Sequence, residues 1–97
     1  MQIKITSHCH KRILERARIS ERRERIKLVK RIVKEGYIID KRGRNILIKY
    51  NKHYLIIRLT SKEPVVISYT SKMIPRGFSQ RLTEKRKLKE MVGTSLN

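Results

Sequence analysis

The stretch "SHCHKRILERAR", which begins at Ser7, contains histidines and arginines at regular intervals. A histidine and two arginines, His8, Arg12 and Arg16, follow one another at four-residue steps. Because each residue advances an α-helix by about 100°, a four-residue step turns by only about 40°, and the three side chains form one ridge. Imidazole carries a proton near neutral pH, and the planar guanidinium binds phosphate. We call these three residues the basic ridge, and its predicted chemistry is proton transfer beside a bound phosphate.

The other side of the same helix is apolar and carries a second histidine. It holds Cys9, His10, Ile13, Leu14 and Ala17. We expect His10 to be a packed structural histidine, whereas His8 is either a proton carrier or a solvated residue at the start of a helix. In a helix the two histidines diverge by about 200°, and metal ligands must converge on one point. We therefore predict no metal site and no cofactor.

The composition favours a polyanionic partner. The chain has 97 residues, the size of one small domain, and its 26 lysines and arginines against 8 aspartates and glutamates give a net charge of +18. Such a charge repels itself until an anion neutralises it, so nucleic acid is the leading class of partner. No apolar run approaches the roughly 20 residues of a membrane-spanning helix, and the first residues lack the apolar core of a signal peptide. We expect a cytoplasmic protein with no membrane partner.

The hydrophobic period predicts two helices in the first part of the chain. "QIKIT" is a candidate short strand, and two helices are expected near residues 8–19 and 21–35. Ser7 and Ser20 are the candidate N-caps. The second helix places Ile26, Leu28, Val29, Ile32 and Val33 on one arc. Its apolar arc predicts that the helix packs on a sheet.

From Tyr37 onward the period changes from about 3.6 to 2, which indicates β-strands. We expect an α+β fold in which the two helices pack on one face of a three- or four-stranded antiparallel sheet over residues 37–70. The predicted domain covers residues 1–72. Residues 73–97 are polar and basic, and we interpret them as a C-terminal extension that is either a marginal helix or a mobile tail.

The register of the sheet follows from a two-residue loop at Asn51-Lys52. The apolar face then pairs Tyr50 with His53, Ile48 with Leu55, and Ile46 with Ile57, and it also receives Ile67 and Tyr69. The opposite face carries side chains suited to a phosphate-bearing ligand. These are Asn45, Lys49, Tyr54, Arg58, Ser68 and Thr70. No role is predicted for His53.

The order of elements resembles the barnase, EndoU, colicin and RelE superfamily of small ribonucleases. The first helix, "SHCHKRILERARIS", is similar to the pattern H-x-x-x-R-x-x-x-R-x-I-S of its compact toxin-like members, and "VVISYT" lies on the last strand. The resemblance covers about residues 3 to 70. It implies a functional histidine at His8, arginines at Arg12 and Arg16, and a strand hydroxyl at Thr70, with Tyr69 beside it. The extra "AR" before Ile19 and the basic extension depart from the pattern.

Three functions remain open at this point. The first is a metal-independent toxin-type endoribonuclease, in which His8, Arg12 and Thr70 act on the bond that is cleaved. RNA would also contact Arg16, Lys49, Tyr54, Arg58, Ser68 and Tyr69, and an acidic antitoxin or immunity protein would inhibit the enzyme. The second is a non-catalytic nucleic-acid-binding regulator of a phage or mobile element. The third is a basic protein that occludes the nucleic-acid site of another protein.

Overall fold

A computed structural model describes residues 2–91 of the chain. Two helices, five strands and a short helical stretch over 88–91 form within these residues. Their bounds are β1 (Lys4–Ile5), α1 (Ser7–Ala17), α2 (Arg22–Glu35), β2 (Tyr37–Arg42), β3 (Asn45–Tyr50), β4 (His53–Arg58) and β5 (Val65–Ser71). The α+β class is confirmed. In residues 2–91 no helix is long and apolar enough to cross a membrane.

The start of each helix differs from the prediction by one residue. Thr6, not Ser7, caps α1, since its hydroxyl accepts a hydrogen bond from the Cys9 amide at 3.1 Å. Glu21 occupies the N-cap position of α2 without a side-chain cap bond, and the predicted cap Ser20 lies just before it. The guanidinium of Arg25 instead donates to the Ser20 carbonyl at 2.6 Å. The link between the helices is therefore held by an arginine in the first turn of α2.

The sheet is larger than predicted, and it is mixed. Its five described strands lie in the order β1-β5-β4-β3-β2, and β1 runs parallel to β5 while the other neighbours are antiparallel. The prediction of a purely antiparallel sheet with three or four strands was wrong, because "QIKIT" joins the sheet edge beside β5. Lys4 pairs with Val65 and Ile5 with Val66. The hydrophobic period depends on neighbouring residues only, so it cannot predict that β1 pairs with a strand about 60 residues later in the chain.

The predicted register is confirmed over most of the sheet. Tyr50 pairs with His53, Ile48 with Leu55, and Ile46 with Ile57. Tyr54 pairs with Thr70 and Ile56 with Ser68, so both hydroxyls lie on the outer face as expected, whereas Val65 pairs with Arg58 and not with Leu59 as the extended register predicts. The register then shifts by one residue, so that Ile57 pairs with Val66. This bulge gives the core position to buried Val66, and Ile67, predicted on the apolar face, is only half-buried.

The helices and the sheet enclose one apolar core, and Gly36 lies where the end of α2 meets β3. Its buried members are Cys9, Ile13, Val29, Ile32, Val33, Ile38, Ile46, Ile48, Leu55, Ile57, Val66, Tyr69 and Leu88. Leu14, predicted on the apolar side of α1, is 46% exposed. A Cβ atom on Gly36 would lie 2.5 Å from the Ile32 carbonyl oxygen and 2.8 Å from that of Lys49. The end of α2 can therefore approach β3 only through glycine.

The C-terminal segment, which we define as residues 72–91, packs against the sheet. Ile74 and Phe78 cover a small apolar cluster on the outer face, made of Ile39, Leu47 and Tyr54. The segment then follows the edge of β2, where the amides of Arg81 and Leu82 donate to the Ile39 carbonyl at 2.8 and 2.9 Å. Leu88 is fully buried in the helix-side core. Residues 73–91 thus belong to the folded unit, and residues 92–97 of the predicted extension lie outside the described residues.

Candidate nucleic-acid interface

The basic ridge lies on the outer side of α1. His8 is exposed and has no hydrogen-bond or ion-pair partner among residues 2–91. Arg12 pairs with Glu15 at 3.1 Å, and their side chains are 35% and 45% exposed. An exposed pair of this kind contributes about 0–1 kcal/mol, so a phosphate can take the place of Glu15 at little cost. His8 and Arg12 are therefore open to an anionic ligand.

Arg16 has a structural contact that the sequence did not predict. Its guanidinium donates to the Tyr69 carbonyl at 3.1 Å, which ties the end of α1 to β5. At the other end of α1, the Thr6 hydroxyl lies 3.2 Å from the Val66 carbonyl oxygen and 3.3 Å from that of Ile67. The Val66 carbonyl also accepts the Thr6 amide at 3.1 Å, so both ends of α1 are fastened to β5 by hydrogen bonds to its backbone.

The outer face of the sheet carries the second predicted group of cations. Arg58 is exposed and its Nε donates to the Asn45 amide oxygen at 3.2 Å. The Lys49 ammonium lies 5.8 Å from the centre of the Tyr54 ring, which is within the range of a cation–π contact. Ser68 and Thr70 are half-buried on this face. Lys49 and Arg58 keep enough exposure to bind backbone phosphate.

Two predicted contact residues do not face solvent. Tyr54, predicted to stack on a base, is only 6% exposed because the C-terminal segment covers it. Tyr69 is 1% exposed, and its side chain lies in the core between the sheet and the helices. Neither ring offers a stacking surface in this conformation, so the structure contradicts their assignment to direct contact with RNA.

The predicted catalytic residues are not joined to one another. Thr70 pairs with Tyr54 on the outer face, whereas α1 packs on the other face through Cys9 and Ile13. Among the residues that the structure describes, no hydrogen bond links His8, Arg12 and Thr70. Only Arg16 of the basic ridge reaches β5, and it does so through a backbone carbonyl. A ligand that touched all three predicted residues would have to pass around the β5 edge.

His10 has the structural role that was predicted for it. It is 8% exposed, and its Nδ1 accepts a hydrogen bond from Arg25 Nε at 3.0 Å. Burial lowers the pKa of His10, and the charges of Arg22 and Arg25 lower it further. His10 is therefore held in its neutral form, and it couples α1 to α2.

His53 is the residue that sequence reasoning missed. Its Nδ1 lies 2.7 Å from the Tyr69 hydroxyl, and its ring stacks on Tyr50 with the centroids 6.5 Å apart. Burial lowers the pKa of His53, and the charge of Lys52 adds to this effect. The signal was present in the predicted register, which places His53, Tyr50 and Tyr69 on one face of the sheet.

Comparison with known proteins gives no relative on which to base a function. No protein-family model matches the chain, no curated protein matches its sequence, and no solved structure matches its fold. Within residues 2–91, no three side chains of His, Cys, Asp or Glu are grouped so that they could hold a metal ion. The function is therefore argued from charge and geometry.

Proposed function

We propose that this protein binds RNA and cleaves it without a metal, as a toxin-type endoribonuclease. The observation that carries the proposal is the basic ridge in a chain of net charge +18, where His8 is exposed and has no side-chain partner in the described residues. A proton carrier beside Arg12 has the two components that transesterification of RNA requires, a base and a phosphate ligand. The resemblance to small ribonucleases of the RelE and EndoU type supports the same reaction.

In the proposed reaction His8 takes the proton of the ribose 2′-hydroxyl. The 2′-oxygen attacks phosphorus, the bond to the 5′-oxygen breaks, and the leaving 5′-oxygen takes up a proton from water. The products are a 2′,3′-cyclic phosphate and a 5′-hydroxyl. Arg12 stabilises the charge that develops on the phosphoryl oxygens, and Lys49 and Arg58 bind backbone phosphates of the same RNA farther along its path. Thr70 and Ser68 donate hydroxyl hydrogen bonds at the β5 edge.

The test is the removal of the proposed proton carrier. Purified protein is incubated with total RNA and with defined transfer RNAs in the presence of a chelator, and cyclic-phosphate ends are measured. His8→Gln should abolish cleavage, about 10²-fold or more, while RNA binding and thermal stability stay near wild type. The matched control is His10→Gln, which should mainly destabilise the fold because it breaks the bond to Arg25. If the wild type leaves RNA intact even with ribosomes supplied, the proposed cleavage is wrong.

A non-catalytic nucleic-acid-binding regulator is the second candidate, and one observation favours it. The α1 side chains and Thr70 lie on different faces of the sheet, so the fold offers cationic surfaces without a closed catalytic set. This candidate keeps salt-sensitive RNA binding and predicts identical behaviour of wild type and His8→Gln. A basic protein that occludes another protein's nucleic-acid site would instead lose that partner when RNA is added.

The same basic surface suits an acidic protein partner. In the ribonuclease proposal, an acidic antitoxin or immunity protein covers the basic ridge and blocks access to His8 and Arg12. Long-range attraction between opposite charges would make its association fast and salt-sensitive. Charge reversal at Arg12 should weaken this complex, and a complex that forms equally well at high salt would contradict the assignment.

A further inference from the structure

Three aromatic rings meet at the end of the β3–β4 hairpin and fix the orientation of His53. The Tyr50 and His53 rings are stacked with an interplanar angle of 15°. The centroid of the Tyr69 ring lies 5.8 Å from the centroid of the His53 ring. The Tyr69 hydroxyl forms a hydrogen bond with His53 Nδ1 at 2.7 Å. Nε2 is then the ring nitrogen without a partner among residues 2–91. We call His53, Tyr50, Tyr69 and Lys52 the hairpin corner.

The Tyr69 hydroxyl is itself held in place. Tyr69 is 1% exposed, so its phenol is a buried polar group that needs a partner. Burial raises the pKa of Tyr69, and a hydrogen bond with the Ser71 side chain opposes this effect. The phenol thus stays neutral and connects Ser71 to the imidazole, which limits how the His53 ring can turn.

Basic residues flank the hairpin corner in the turn, in α1, in α2 and just after β5. Lys52 lies in the turn, and the amide of Lys72, just after β5, donates to the Lys52 carbonyl at 2.8 Å. From α2, Arg31 lies beside the Tyr50 hydroxyl, and the hydrogen bond between them, with the nearby Glu35, raises the pKa of Arg31. From α1, Arg16 reaches the Tyr69 carbonyl. Glu35 lies near Arg31 and partly offsets its charge.

We infer that the hairpin corner is a phosphate-binding site, in which His53 and Lys52 hold a phosphate group and Arg31 lies nearby at the Tyr50 hydroxyl. The geometry supplies a half-buried imidazole whose Nε2 has no partner among residues 2–91, whose ring is held by two tyrosines, and which lies beside the positive charge of Lys52. Phosphate accepts hydrogen bonds from such groups and neutralises the charge. The identity of the natural ligand, an RNA backbone phosphate, rests on the proposed function.

Binding of an anion should change the protonation of His53. In the free protein the imidazole is neutral at pH 7, since burial and Lys52 both disfavour the cation. A bound phosphate offsets the repulsion from Lys52 and favours protonated His53, so phosphate uptake is coupled to proton uptake. Tyr69 acts as a positioning residue, because it holds the ring and does not reach the surface.

The experiment follows the histidine ring nitrogens by nuclear magnetic resonance while inorganic phosphate, or a short single-stranded RNA, is added. The His53 pKa should rise by about one unit with either ligand, whereas the pKa of buried His10 should not move. Lys52→Gln should weaken phosphate binding by about twofold to fivefold. The matched control is Lys62→Gln, which removes the same charge from the exposed loop after β4 and should leave phosphate affinity near wild type.

The outcomes separate this inference from the proposed function. If the His8 resonance responds and His53 does not, the inference is wrong and RNA binding remains at the basic ridge. If Lys52→Gln and Lys62→Gln weaken binding equally, only non-specific attraction is present and the inference is also wrong. If inorganic phosphate shifts His53 and RNA does not, the site stands and RNA is not its ligand.

Tyr69→Phe tests the positioning role separately. It removes only the hydroxyl, so the core stays filled while His53 Nδ1 loses its partner. The Nδ1 chemical shift should change and phosphate affinity should fall, with the fold retained. An unchanged shift would contradict the positioning role of Tyr69. If this variant does not fold, the surface variant Lys52→Gln still decides whether the site exists.

Discussion

The face of the sheet under α1 and α2 is covered by regular helices, whereas the apolar cluster on the outer face is covered by the irregular C-terminal segment. The helix-side core is apolar and includes fully buried Leu55 and Ile48. The outer cluster is small, and the chain over it is held at a carboxylate, Asp40, which is 1% exposed. The two faces of one sheet are therefore covered by different interactions, which are apolar packing on the helix side and hydrogen bonds to a buried carboxylate on the outer side.

Asp40 is the anchor because it accepts hydrogen bonds both from β2 and from the C-terminal segment. Its Oδ2 accepts from the Ser79 amide at 2.9 Å and from Arg42 Nε at 3.2 Å, and its Oδ1 accepts from the Lys41 amide at 2.8 Å. Burial by itself would raise the pKa of Asp40, but these hydrogen bonds outweigh it and lower the pKa overall. The charged form is therefore the one that holds the C-terminal segment.

The comparison predicts the largest loss of stability on the helix side. Leu55→Ala should lower the free energy of unfolding by about 3–4 kcal/mol, because it opens a cavity among packed side chains. The matched variant on the outer side is Phe78→Ala, which should cost less because Phe78 is only partly buried. Urea denaturation measures both. Equal losses for the two variants would remove the distinction between the faces.

Loss of the anchor should have the next largest effect. Asp40→Asn should lower the free energy of unfolding by about 2 kcal/mol, since an amide cannot accept all of the hydrogen bonds that the carboxylate accepts. Hydrogen exchange should speed up at the Ser79 and Arg81 amides before it does so in β4. Glu84→Gln, an exposed residue of the same segment that pairs with Arg86, is the control and should leave these amides protected.

The free energy of unfolding should depend on pH in two separate steps, one from His10 and His53 on the helix side and one from Asp40 on the outer side. His10 and His53 have lowered pKa values, so the unfolded chain binds more protons below pH about 6.5 and stability falls there as the pH decreases. The Asp40 pKa is also lowered, so its contribution is complete above pH about 4 and is lost as the pH falls further. Asp40→Asn should lack the second step. A wild-type stability that stays constant from pH 7 to pH 3 would contradict both assignments.

The smallest effect on stability should come from the cations of the outer face, which matter for binding. Replacing Lys49 and Arg58 together by alanine should change stability by less than about 1 kcal/mol. The log-log dependence of RNA affinity on salt should flatten by about 1.4, because each phosphate contact on a single strand contributes about 0.7.

The control for this pair is Lys30 and Lys34, two exposed cations of α2 in the helix layer. If both double variants flatten the slope equally, RNA is bound without a preferred face. If the Lys49 and Arg58 variant leaves the slope unchanged, the RNA-binding surface lies elsewhere, with the C-terminal segment as the next region to test.

Local patterns in the sequence were enough to predict the helices, the hairpins and most of the register. The apolar arc of α2 and the period-two strands each depend on neighbours within a few residues, and the turn at Asn51-Lys52 sets the pairing of Tyr50 with His53. The exposed position of His8 and the structural role of His10 follow from the same helical geometry. These features could be predicted because their causes lie within one or two turns of chain.

Only the tertiary structure decided the features that join distant parts of the chain. The parallel pairing of β1 with β5, the bulge beside Val66 and the burial of Leu88 bring together residues that are far apart in sequence. The cover over Tyr54 and the bond from His53 to Tyr69 have the same origin. Periodicity shows that a residue is apolar on one face, but which chain segment covers that face is set by the competition among all segments for the same buried area.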